Sequence, residues 1–227
     1  ELDDRSSAQL REQVADDLAT SSEGKLLLDM ISHLGGNEFE KFTASIVSNK
    51  AKFAEKLTES EIKKRLGLPE TADHNYPSNL ALTGEEKILI EDLLTIRSSV
   101  SESYKEIIDD LKAAIHLPDP LETTSALYRL CLYQASDRKG EYSKWDSKSR
   151  NFPQSNHKKA VEAFEPFIDD VHALMDRVHL AKHAELSLTA AQSTLALHAF
   201  ARAFLARYDA TKQSRGWLDF DDLILKT

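Results

Sequence analysis

Cysteine is almost missing from this chain: Cys131 is the one thiol among 227 residues. A single thiol forms neither an internal disulfide nor a cysteine cluster for a metal, which points to a reducing, cytoplasmic setting. Long apolar runs are missing too, so no stretch reaches the roughly 18 residues of a membrane helix. The first residues, Glu1-Leu-Asp-Asp, lack the positive start of a signal peptide. There is no initiator methionine and neither end has linker composition, so the chain reads as a piece of something longer. Positive charge is in deficit: 29 basic residues face 38 acidic ones, a formal net charge of −9. An average surface of that sign repels nucleic acid and anionic membranes, so any such partner requires local clustering of basic groups. What is present is apolar material, 41% of residues, enough to bury roughly 70 to 75% of the unfolded surface. That supports one ordinary core, with two small lobes as the alternative.

Only seven glycines and six prolines interrupt the chain, and apolar residues recur at three- and four-residue spacing. The pattern predicts an all-α or nearly all-α fold. Residues 5–19 read as a surface helix with a narrow stripe at Leu10, Val14 and Leu18. Residues 25–34 read as a second helix capped by Gly35-Gly36. Thr58-x-x-Glu61 and Thr83-x-x-Glu86 are capping boxes, and Leu89, Leu93, Ile96 and Val100 hold one face behind the second. That helix is expected to reach residue 101 or to continue to 115, before Pro118 and Pro120 end it. Residues 121–133 are helical or, near their end, extended, with a small hairpin expected near residues 130–145. Val161, Phe164, Ile168, Val171, Met175 and Val178 form the best helical face, restarted or kinked at Pro166. Thr189-x-x-Gln192 is expected to open the last long helix. The whole, 1–227, reads as a single helical domain.

Several patterns invite chemistry and fail on inspection. Gly24-Lys25 lacks the earlier glycine and the following Ser or Thr of a phosphate loop. His172, His179 and His183 share a helical stripe, but no acid stands between the last two and no third zinc ligand is evident; a packed or solvated face is the better reading. Asp219, Asp221 and Asp222 can attract a divalent cation. A metal-dependent enzyme built on them would need further acids and a base that the sequence does not announce, and Asp219 as a helix cap is preferred; no metal site is assigned. Residues 137–159 differ from the rest, with seven Lys or Arg against three acids and Tyr142, Trp145 and Phe152 interleaved. This is either a nucleic-acid surface or a disordered polar loop. Arg202, Arg207, Lys212 and Arg215 add a second basic region.

The most informative stretch lies at the end: Tyr208, then Lys212, the turn Arg215-Gly216, Trp217, and Leu218-Asp-Phe-Asp-Asp-Leu-Ile. It resembles the segment of UvrD-like superfamily-one DNA helicases that leads from the inserted domain 1B back into the ATPase domain 1A. The start, Glu1-Leu-Asp-Asp-Arg, and the middle with Arg138-Lys139 are similar to the AddA helicase-nuclease subunit of that family. The resemblance covers both ends and part of the middle, and only the Leu-Asp-Phe-Asp-Asp-Leu motif is sharply specific.

The resemblance implies a 1B-type insertion, with residues 216–227 the return segment, from a subunit acting in recombinational double-strand break repair. It carries base stacking on single-stranded DNA over to Phe220. With Phe220 and the adjacent Trp217, the expected DNA-binding set comprises Arg138, Lys139, Lys144, Lys148 and Arg215. Asp219, Asp221 and Asp222 organise the turn. The parent would use ATP and Mg2+, pair with an AddB-like subunit and load on single-stranded DNA or duplex ends. This chain holds no Walker A loop, Asp-Glu-x-x-Gln-Asp sequence, arginine finger or nuclease motif. It should therefore be inactive alone, with no catalytic residue and no cofactor of its own. The rival reading is a helical scaffold or protein-interaction domain without a nucleic-acid role.

Overall fold

The computed structural model describes residues 3–32, 39–136 and 143–217. The described residues are helical apart from a two-stranded antiparallel sheet, turns and short loops, as the spacing of apolar residues predicts. In chain order the elements are α1 (Asp4–Ala19), α2 (Gly24–Ile31), α3 (Phe39–Ser48), α4 (Glu59–Arg65), α5 (Tyr76–Ala81), α6 (Glu86–Ile96), α7 (Glu102–Ile115), α8 (Pro120–Cys131), β1 (Leu132–Ser136), β2 (Ser143–Ser147), α9 (Lys158–Phe164) and α10 (Ile168–Ser214). Single 3-10 turns follow α3, α6, β2 and α9.

The chain divides into two compact units, Glu1–Gly67 together with Thr189–Thr227, and Leu68–Leu188. Each has its own core. In the first, the α1 stripe Leu10, Val14 and Leu18 is at most 1% exposed and packs with Phe200, Phe204 and Tyr208. Phe42, Phe200, Phe204 and Tyr208 form a run of stacked rings with centroids 5.6 to 6.2 Å apart. In the second, Leu93, Ile108, Leu127, Phe164, Leu174 and Val178 are equally buried. Each such side chain contributes about 1.5–3 kcal/mol by leaving water.

The helix ends follow local chemistry. At Thr58 the box closes: its hydroxyl oxygen accepts from the Glu61 N–H, and Glu61 accepts from the Thr58 N–H at 2.8 Å. The second box is altered. Glu86 accepts from the Thr83 and Gly84 N–H groups, but α6 begins only at Glu86, because Gly84 sits at φ 96° and turns the chain first. The expected helix from 83 stops at Ile96. Val100 and Ser101 are extended, so α7 is a separate helix reaching Ile115. Pro166 lies in the 3-10 turn between α9 and α10, where the periodicity places a restart.

Thr189 does not open a helix. α10 runs through it for 47 residues, since no glycine or proline occurs between 168 and 215. The hydroxyls of Ser193 and Thr194 bond back to the carbonyls of Thr189 and Ala190, so they offer no competing cap. The Gly35-Gly36 cap lies outside the described residues.

Candidate nucleic-acid interface

Two segments carry the residues that the sequence marks for DNA contact: the hairpin and the end of α10. In the hairpin, Leu132 pairs with Ser147, Tyr133 with Asp146, Gln134 with Trp145, Ala135 with Lys144 and Ser136 with Ser143. Side chains alternate across a strand, so Lys144 and Asp146 share one face with Tyr133, and Trp145 takes the other. Trp145 is half-buried. Its ring and that of Tyr128 on α8 both lie against the Lys182 ammonium of α10, at 5.3 and 4.6 Å from the centroids. Lys182 also pairs with Glu185 at 2.5 Å. Burial, together with the Glu185 charge, pushes the Tyr128 phenol well above its ordinary pKa, so it stays neutral.

The histidine stripe fastens the same region. The Nε2–H of His179 donates to the Trp145 carbonyl at 3.0 Å, and that of His172 to the Phe152 carbonyl at 2.6 Å. A carbonyl only accepts, so both Nε2 atoms carry the proton. His183 Nε2 lies 3.1 Å from His179 Nε2, where it can only share that one proton as a second acceptor. These histidines anchor packed segments, and no group of three His, Cys, Asp or Glu able to hold a metal exists among the described residues.

The basic tract then separates by role. Lys148 donates to the carbonyls of Leu130 at 2.7 Å and Arg129 at 3.3 Å, the open end of α8. A cation there complements the helix dipole, so Lys148 holds the fold. Lys144 and Arg150 are exposed. The N–H of Ser147, with Arg150, Lys144 and His179 nearby, holds the Asp146 carboxyl below the usual range. The exposed Lys144, Arg150 and Tyr133 offer phosphate contacts and an aromatic ring. Arg138 and Lys139 lie outside the described residues.

At the end of α10 the turn expected at Arg215-Gly216 is formed. Gly216 adopts φ 64°, its N–H bonds the Gln213 carbonyl at 3.1 Å, and the Trp217 N–H bonds the Lys212 carbonyl at 2.9 Å. This is a Schellman closure, which needs glycine at the left-handed position. Arg215 and Trp217 are brought together, the guanidinium carbon 4.8 Å from the ring centroid. Arg215 also donates to the Gln13 side chain on α1 at 2.6 Å. Lys212, counted in the second basic region and in the stretch that carries the resemblance, is 3% exposed, above the Tyr208 ring. Phe220, Asp219, Asp221 and Asp222 lie outside the described residues.

No family model, curated protein or solved structure matches the chain. One further expectation is met by the described residues. No helix is long and apolar enough to cross a membrane. Cys131 is buried, which pushes its thiol up to about 12 and leaves it inert. Gly24 serves packing: a Cβ there would stand 2.4 Å from the Ala19 carbonyl oxygen. Sequence reasoning missed Tyr128, Lys182 and Glu185. The only signal was an i, i+3 Lys–Glu pair on an otherwise apolar helix face.

Proposed function

We propose that the chain is the DNA-contacting 1B-type region of an ATP-dependent helicase-nuclease subunit resembling AddA, working in recombinational double-strand break repair. The observation that carries this reading is the end of α10. Tyr208 and Lys212 are packed into the unit, and Gly216 closes the helix with Trp217 stacked on Arg215, at the point in the sequence that precedes Leu218-Asp-Phe-Asp-Asp-Leu-Ile. Beside it, α1 packs against α10 and is bonded to Arg215 through Gln13. Phe220 would stack on a base of single-stranded DNA, Lys144 and Arg150 would hold phosphates, and ATP, Mg2+ and an AddB-like partner would belong to the parent.

The second reading, a protein-interaction scaffold, is favoured by the occupation of the basic groups. Lys148, Arg202, Arg207 and Arg215 all bond within the fold, and the net charge is −9. Binding of a fluorescent forked oligonucleotide across a salt series separates the two. The DNA reading expects affinity that falls steeply with salt, and a smaller slope for Lys144→Glu. The scaffold reading expects no binding at low salt by the protein of the full reading frame.

A further inference from the structure

A cavity of about 480 Å³ in the unit Glu1–Gly67 with Thr189–Thr227 is lined by Lys56, His198 and Arg202 and walled by Leu26, Leu57 and Ala203. Two cations face it: Lys56, after the 3-10 turn that follows α3, and Arg202 on α10. Arg202 is fixed in place, donating through Nη1 to the Ala54 carbonyl at 2.8 Å and the Phe53 carbonyl at 3.2 Å. Lys56 has no ion-pair partner among the described residues. The carboxylate on the cavity wall, Glu23, is already paired with Arg207 at 2.8 Å.

His198 stands among them with its ring edge-on to Phe53, centroids 5.2 Å apart. Its Nδ1 is buried and has no hydrogen-bond partner among the described residues. Burial first, then the charges of Arg202 and Arg65, hold the imidazole below its ordinary pKa. With Glu23 engaged by Arg207, the two cations facing the cavity repel one another, and a bound anion relieves that repulsion. The apolar wall beside them suits the body of an ester more than a bare ion.

We infer that Lys56 and Arg202 form a receptor for the phosphate group of a phosphate ester, in the cavity beside His198. The cavity is built from residues other than those of the hairpin and the motif, so the inference does not rest on the helicase reading. A phosphodiester of a nucleic-acid strand and a free phosphomonoester present the same chemistry.

The test is titration of the chain, at low salt, with inorganic phosphate and separately with a short oligothymidylate, following the His198 imidazole by 1H–15N NMR. Phosphate should shift the His198 resonances saturably and raise its apparent pKa, because a bound anion favours the imidazolium. Lys56→Ala should weaken the effect about tenfold, the loss of one charge-assisted contact. Lys56 is exposed and makes no described hydrogen bond or ion pair, so this variant keeps the fold; Arg202→Gln provides a second. If oligothymidylate produces the same shift and competes with phosphate, the natural ligand is a strand. If only inorganic phosphate acts, it is a small ester, and both results support the receptor. No His198 response at about 10 mM phosphate, or a response unchanged in both variants, overturns it. Neither result bears on DNA contact at Lys144, which the salt-dependent oligonucleotide assay reads.

Discussion

The His179 imidazole donates its Nε2–H to the main-chain carbonyl of Trp145 at 3.0 Å, tying α10 to the second strand of the hairpin. Lys182, one helical turn away on the same face, lies against the Trp145 ring. The tract around Trp145 is therefore a fixed platform, and its exposed face is held in one orientation. His179→Ala should cost about 1–2 kcal/mol of stability by stranding a half-buried carbonyl. Trp145→Ala should cost about 3 kcal/mol or more. Hydrogen exchange at residues 132–136 and 143–147 should accelerate in both variants, while amides of α1 stay protected.

His183 adds a pH dependence. Burial, then His179 and Lys144, lower its pKa below 6.5. Its unfolded form thus binds protons first as pH falls, and the stability contributed by the neutral ring declines below about pH 6.5 toward the folded pKa. Urea midpoints should fall between pH 7 and 5.5, and His183→Gln should flatten that decline.

Glu86 is 4% exposed and accepts from Arg177 at 2.9 Å as well as from Thr83 and Gly84. Burial alone would raise its pKa; the N–H groups of Thr83, Glu86 and Gly84 outweigh that and hold it below 4.5. Its contribution is complete above pH 4.5 and lost as pH falls through the folded value. Glu86→Ala leaves Arg177 facing a half-buried site unpaired and should cost about 3 kcal/mol in thermal or urea unfolding at pH 7. Replacing both partners by Leu should restore much of that loss.

Gly24→Ala should destabilise by about 2 kcal/mol, because the added methyl meets backbone at 2.4 Å, which cannot yield as a flexible side chain would. Gly24→Ser should be no better, and the melting temperature of both variants reports the cost.

The helices were readable because their evidence is local. Leu10, Val14 and Leu18 mark a face by spacing alone, and Thr58 with Glu61 marks a start by hydrogen-bonding chemistry alone. Thr189 misled because the same residue type that caps a helix is tolerated inside one when the flanking alanines favour continuation. The roles of the basic residues were not readable. Lys144 and Lys148 lie four residues apart in one tract, yet one is exposed and the other caps α8, a difference set by a carbonyl eighteen residues away. Lys182 between two rings, and Arg202 on the carbonyls of Phe53 and Ala54, likewise depend on contacts that no spacing rule contains. At the end of α10, glycine at 216 marked the turn, but the Arg215–Gln13 bond joins residues 202 positions apart.

The most direct test of the functional reading is ATP hydrolysis by the protein encoded in the full reading frame, measured with and without single-stranded DNA, for the natural sequence and for Phe220→Ala. A DNA-contacting insertion of a helicase motor predicts hydrolysis stimulated by DNA, and about a tenfold weaker response in Phe220→Ala, the loss of one stacked base. Absence of hydrolysis, or DNA stimulation that is unchanged by Phe220→Ala, contradicts it.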